Sequence, residues 1–343
     1  MKRSKNDIGV FQKWLRWLGA ALFAMVLIGC SDNSSDDGFI TTRLPVVEIK
    51  SVGNTTVVLE SDFTAGSYGI IVSGKYHAKS VVDDNATLGF ADGNFYILER
   101  SLGAARVTSL TKNGEIISQI PLASASFNPH SVCGDGSGNI FVASYEDLTI
   151  AVFEKENGNI KFSRSIELPQ IAGAKLPSIK FHNGKIYAAL QILDETWSPS
   201  EKSRILEIDP ATGGVSREFE SNFMNVQEIK IRGNNLFVID MGSWFDTDGG
   251  ITKIDLSSGV KTTILDGKTE GASPQKIEFT SDNQGYLLMY KEWGDAPLAR
   301  FSLNGTITLN YSGFESLNPV SAISYNETTN TLWVASGTKV FQF

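Results

Sequence analysis

Short alternating apolar runs, each entered through a turn rich in Gly, Asn or Asp, set the rhythm of this chain. The first reads Gly93-Asn94-Phe95-Tyr96-Ile97-Leu98, and the pattern returns at residues 138–143, 184–189, 234–239, 284–289 and 330–335. Their central positions, 96, 141, 187, 237, 287 and 333, are 45, 46, 50, 50 and 46 residues apart. An apolar run after a tight turn predicts a β-strand. A second strand-and-turn phrase follows, as in Ile205-Leu206-Glu207-Ile208-Asp209 before Pro210-Ala211-Thr212-Gly213. It returns at 251–259, and more loosely at 151–158 and 299–305. Four short antiparallel strands in each unit of roughly 45 residues are the signature of a propeller blade.

The expected fold is therefore all-β: a β-propeller, with a β-sandwich pair as runner-up. After the first 30 residues no stretch of a dozen carries a 3.6-residue period, so helices are not expected. Six units are plain. A seventh is read at Thr55 to Ser61 followed by Gly69-Ile70-Ile71-Val72, which favours seven blades over six. The chain ends on Lys339-Val340-Phe341-Gln342-Phe343, a strand with none after it. An N-terminal strand is expected to complete that blade and cover its edge, and Val46 to Ile49 is the candidate.

The N-terminus carries a different signal. Lys2, Arg3, Lys5, Lys13 and Arg16 form a basic region, and Trp17 to Gly29 is an uncharged apolar run of 13 residues. That is short for a membrane span of about 20 residues and suits a signal peptide. The run ends Leu27-Ile28-Gly29-Cys30, which resembles a bacterial lipobox. The resemblance implies cleavage before Cys30 and acylation of its thiol, which anchors the mature protein to a membrane. Ser31 to Gly38 is acidic and Ser-rich and reads as a flexible tether. The expected division is a signal peptide at 1–29, a lipidated Cys30 with its tether at 30–45, and a propeller at 46–343. Ser31, not Asp, follows the Cys, so the outer membrane is expected.

Formal net charge is −8. Residues 1–29 hold five Lys/Arg against one Asp, so the mature chain stands at about −12. An acidic surface argues against nucleic acid and is compatible with protein, peptide or glycan partners. A monomer is expected. Cys133 has no disulfide partner once Cys30 is acylated, and reads as a buried small apolar residue.

The segment Val57-Val58-Leu59-Glu60-Ser61-Asp62-Phe63-Thr64-Ala65-Gly66-Ser67-Tyr68-Gly69 resembles the opening blade of a group of bacterial surface lipoproteins. That group belongs to the YVTN-type or quinoprotein-like propellers. Phe127-Asn128-Pro129-His130 and Ala188-Ala189-Leu190-Gln191-Ile192-Leu193-Asp194 resemble it as well. The wider class includes lactonases, quinoprotein dehydrogenases and interaction scaffolds, and fold alone does not choose among them.

For chemistry, a motif precedes the innermost strand of successive blades: Asn128-Pro129-His130, Leu176-Pro177-Ser178, Asn225-Val226-Gln227, Ser273-Pro274-Gln275 and Asn318-Pro319-Val320. Pro is tolerated at a strand start, where no ladder donor is needed. His130, Gln227 and Gln275 are expected at the mouth of a central channel, with Asp84 and Asn128 as further ligand-binding candidates. Whether they serve a ligand or tie blades together is open at this point. His77 and His182 lack partners at metal-ligand spacing. Asp246-Thr247-Asp248-Gly249-Gly250 resembles the start of a calcium loop but lacks its distal Glu, and a tight turn explains it better. No nucleophile elbow, phosphate loop or Cys-x-x-Cys-His is present. Trp197, Trp244 and Trp293 fall in strand connections, where they could make contacts or pack loops.

The expected function is a membrane-anchored binding or scaffold module, with no cofactor. The alternatives are a calcium-dependent, lactonase-like hydrolase using Asp84, Asn128 and Glu228 on the axis, and a propeller carrying a redox cofactor such as a quinone.

Overall fold

The computed structural model describes residues 38–100, 105–122, 127–156, 159–243 and 246–343. The segment expected to be a signal peptide, Cys30, residues 31–37 of the expected tether, and Trp244 lie outside the described residues. Twenty-eight strands form seven four-stranded antiparallel sheets, as the seven-blade reading expects.

A short strand, β1 (Phe39–Thr41), comes first and joins the last blade. Blade one is β2 (Val46–Val52), β3 (Thr55–Ser61), β4 (Gly66–Val72) and β5 (Lys75–Val82). Blade two is β6 (Thr87–Ala91), β7 (Asn94–Glu99), β8 (Arg106–Leu110) and β9 (Ile116–Pro121). Blade three is β10 (Pro129–Gly134), β11 (Asn139–Ser144), β12 (Thr149–Glu156) and β13 (Asn159–Glu167). Blade four is β14 (Ala174–His182), β15 (Lys185–Ile192), β16 (Lys202–Ile208) and β17 (Val215–Met224). Blade five is β18 (Val226–Arg232), β19 (Asn235–Asp240), β20 (Gly250–Asp255) and β21 (Lys261–Asp266). Blade six is β22 (Ser273–Ser281), β23 (Gln284–Tyr290), β24 (Leu298–Asn304) and β25 (Thr306–Asn310). Blade seven is β26 (Ala322–Asn326), β27 (Thr331–Ser336) and β28 (Lys339–Gln342), with β1 as its outer strand.

The recurring phrase of the sequence is the second strand of blades two to seven. These strands are buried on both faces, not on one: β7 and β11 have no exposed position. The reason is the layered core. Seven apolar clusters occur, one between each pair of neighbouring blades, including blades seven and one. Ile140 and Val142 face blade two, while Phe141 and Ala143 face blade four. Alternate side chains point to opposite faces of a strand, so a strand between two layers needs apolar residues throughout. The hairpins that feed these strands use Asp92–Gly93 and Asn183–Gly184, all with positive φ. That geometry matches the twist of a two-residue hairpin.

Ring closure differs from the sequence expectation. Val46 to Ile49 does not complete the last blade; it opens blade one as its innermost strand. The closing strand is β1, paired Phe39↔Phe341, Ile40↔Val340 and Thr41↔Lys339. The propeller thus begins at Phe39, inside the segment expected to be tether. Phe39 packs its ring 5.6 Å from that of Phe341, under the Lys339 ammonium 4.4 Å away. Three residues suffice because the partner edge is preformed and leaves backbone groups to be covered.

Candidate functional site

Five of the seven innermost strands carry a β-bulge at the same place. The register shifts fall between Val46 and Glu48, Pro129 and Ser131, Lys175 and Ser178, Val226 and Glu228, and Pro274 and Lys276. A bulge leaves one residue unpaired and re-aims its side chain. Val47, His130, Pro177, Gln227 and Gln275 are those residues, and all five line one axial cavity of about 320 Å³. His130, Gln227 and Gln275, chosen from sequence, therefore converge. Of the other candidates, Glu228 joins them, but Asp84 and Asn128 do not line the cavity. Asp84 sits in the connection from blade one to blade two. Its carbonyl accepts the Ser61 hydroxyl at 2.8 Å, and its carboxylate accepts the Asn85 amide at 3.2 Å. Asn128 precedes the bulge; its carbonyl accepts the Tyr145 N–H at 2.8 Å, and its Oδ1 is buried without a partner.

At the mouth, polar side chains follow one another across four blades. Arg100 Nη1 donates to His130 Nδ1 at 2.8 Å, and the His130 ring lies 5.0 Å from that of Tyr145. The Tyr145 hydroxyl donates to Gln191 Oε1 at 2.5 Å, and the Gln191 amide donates to Asn225 Oδ1. Asn225 Oδ1 also accepts from Gln227 Nε2 at 2.9 Å, while Asn225 Nδ2 donates to the Gly242 carbonyl at 2.7 Å. Asn225 is fully buried with φ +70°, a backbone region Asn enters more readily than most residues. Gln275 makes no side-chain hydrogen bond among the described residues and is left to the cavity.

An arginine can only donate, so Nδ1 of His130 accepts and the ring proton sits on Nε2. Burial, and then the Arg100 charge, push the His130 pKa down to about 3. The ring is thus a neutral hydrogen-bond donor.

One residue past each bulge lies a second tier. In three blades it ties neighbours together. Glu48 accepts the Leu88 N–H at 2.6 Å, Ser131 the Ile179 N–H at 3.1 Å, and Ser178 the Ile229 N–H at 3.2 Å. Each bond satisfies an N–H on the inner edge of the next blade. In blades five and six the equivalent positions are Glu228 and Lys276, and neither makes such a bond.

Two residues further along stand Lys50, Lys180, Lys230 and, in blade six, Glu278. Lys230 bridges Glu228 at 3.2 Å and Glu278 at 3.4 Å. Burial opposes it, but these carboxylates hold the Lys230 ammonium above its usual pKa. Burial and the nearby Lys230 charge pull Lys50 down to about 8, and burial lowers Lys180 as well. Burial raises Glu48 above the usual carboxylate range. Of these charges only Glu228 is among the residues expected on the axis from the sequence. The signal was present as Glu48-Ile49-Lys50, Ser178-Ile179-Lys180, Glu228-Ile229-Lys230 and Lys276-Ile277-Glu278. Polar positions there flank a buried Ile on strands otherwise assigned to the interior.

The remaining candidates are accounted for locally. His182 faces Lys185 across the β14–β15 hairpin, and His77 lies on the outer strand β5. Asp248 accepts the Ser243 N–H at 2.7 Å, and the Ser243 hydroxyl donates to both Asp246 and Asp248, which closes the turn from within. Burial pushes the Cys133 thiol up to about 12, which leaves it unreactive. Trp197 packs under the Lys175 ammonium at 4.7 Å, and Trp293 is 53% exposed.

The fold and its bulged inner strands define a seven-bladed β-propeller with an axial cavity. No protein-family model and no curated protein matches the sequence. Among solved structures, a streptogramin B lyase superposes with a TM-score of 0.64 at 15% identity, over 89% of this chain and 95% of that one. Virginiamycin B lyase from Staphylococcus aureus, a catalytically inactive variant with quinupristin, gives 0.63 at 17% identity over 90% and 96%. A chain of the mitotic checkpoint complex gives 0.64 at 10% identity over 94% and 98%. Likeness at these identities shows the shared fold alone.

Proposed function

We propose that this chain is an exported lipoprotein, anchored to the outer membrane through acylated Cys30, whose propeller binds a peptide, protein segment or glycan at the mouth of its axial channel. The observation that carries the binding reading is the convergence of five bulge residues, including His130, Gln227 and Gln275, on one concave cavity. Several polar groups meeting in a cleft is the usual architecture of a ligand site. The rim is held from Arg100 to Gln227 by hydrogen bonds and, between His130 and Tyr145, by a ring contact, so the polar groups are positioned before a ligand arrives. The lipobox at Leu27 to Cys30 supports the anchor.

The hydrolase reading has less support. Among the described residues no group of three His, Cys, Asp or Glu is placed to hold a metal ion. Of the residues that reading needs, only Glu228 lines the cavity, and Lys230 bridges it.

Peptide and glycan arrays probed with residues 38–343 test the proposal. A ligand found there should lose about tenfold in affinity, roughly 1.4 kcal/mol, in Gln227→Ala with Gln275→Ala. Ligands whose affinity ignores both substitutions would place the binding face elsewhere.

A further inference from the structure

We infer that the axial channel is built for a small acid, a molecule carrying a carboxylate or phosphate group next to a hydroxyl, held by Lys50, Lys180 and Lys276. The inference rests on the axial-site reading above and names the chemistry of its ligand. Four lysines line the cavity against two glutamates, Glu48 and Glu228. Only Lys230 is ion-paired; Lys50, Lys180 and Lys276 have no carboxylate in bridging distance among the described residues. Glu278, outside the lining, is shared with the same Lys230. The wall therefore carries a surplus of positive charge, in a chain whose net charge is −8.

Like charges crowded in a low-dielectric cleft repel, and an anion between them relieves the repulsion. Lys230 with Glu278 ties blade five to blade six, but among the described residues no such tie uses the Lys50, Lys180 or Lys276 ammonium. The second-tier position that bonds the next blade in blades one, three and four is released from that role at Lys276 and Glu228. Glu228 also keeps a buried Oε2 with no partner. A buried acceptor without a donor calls for a group to fill it, and a hydroxyl on the ligand, beside its acid group, supplies one. The cavity, about 320 Å³, sits at the lower end of ligand-pocket sizes, which suits a molecule the size of a sugar acid.

Thermal denaturation of residues 38–343 tests this with inorganic phosphate, glucuronate and, as a neutral control, glucose. At about tenfold over its dissociation constant a bound acid raises the melting temperature by roughly 3 °C. Phosphate or glucuronate should do so and glucose should not. Lys180→Met with Lys276→Met should keep or raise the unliganded melting temperature, because repulsion is removed, and should lose the response to either acid. If that pair fails to fold, Lys276→Gln alone should reduce the response at least threefold. No response to either acid in the wild type overturns the inference, as does an equal response in the lysine variant. A response to glucose that disappears in Gln227→Ala with Gln275→Ala overturns the acid chemistry while leaving the axial site in place.

Discussion

Arg100 donates to Nδ1 of His130 at 2.8 Å, and this bond joins blade two to blade three at the rim of the channel. It fixes the imidazole tautomer and keeps the ring neutral. Burial and the Arg100 charge put the folded pKa near 3, against about 6.5 in an unfolded chain. The folded state holds this proton less tightly. Its contribution to stability is therefore complete above pH of about 6.5 and is lost as pH falls toward 3. Nitrogen-15 spectra should show Nε2 protonated and no titration of His130 between pH 5 and 8. A midpoint inside that window would contradict the assignment, and Arg100→Leu should move the midpoint upward.

Asp240 shows the opposite sign. It is fully buried at the end of β19 in blade five, and accepts the hydroxyls of Ser203 and Ser221 from blade four. Burial lifts its carboxyl to about 6, the two hydroxyls notwithstanding. The unfolded value is about 3.9, so the folded state holds this proton more tightly. The contribution is complete below pH of about 3.9 and lost as pH rises through about 6. Relative to Asp240→Asn, the wild type should lose about 2.4 kcal/mol between pH 4 and pH 8. Urea unfolding at the two pH values measures this, and a difference that does not change with pH would refute it.

The closing strand makes a boundary prediction. A chain beginning at Gly38 retains β1, whereas one beginning at Val46 exposes the edge of β28 and strips the cover from Phe341. The shorter chain should be less stable by roughly 2–3 kcal/mol, and should self-associate through the open edge. Melting and sedimentation of the two chains decide it. Equal stability and a monomeric short form would show that β1 is dispensable.

Lipidation is tested apart from the fold. Cys30→Ser should abolish palmitate labelling and release the protein from membranes or leave the precursor uncleaved. Continued labelling of the variant would remove the lipobox assignment.

The seven blades were legible because strands such as β7, β11 and β19 report their own burial. A run like Phe95-Tyr96-Ile97-Leu98 after Asp92-Gly93 needs no distant partner to be recognised as strand. The axial position of His130, Gln227 and Gln275 was legible too, since pseudo-rotation carries equivalent turns to equivalent places. Three things were decided only by the tertiary structure. Phe39–Thr41 is too short to carry a period, and its partner Phe341 lies at the other end of the chain. Asp84 looked equivalent to the bulge residues, but β6 has no bulge and the loop bonds the side chain locally. The lysine-lined axis is the third. Lys50, Lys180 and Lys276 are separated by 130 and 96 residues; the repeated polar-Ile-polar pattern marks their strands, but nothing local says that the three charges face one another. Only ring closure turns those positions inward against one another. Their charge then acts in a narrow low-dielectric cleft instead of bulk water, and that difference separates a surface lysine from a candidate ligand contact.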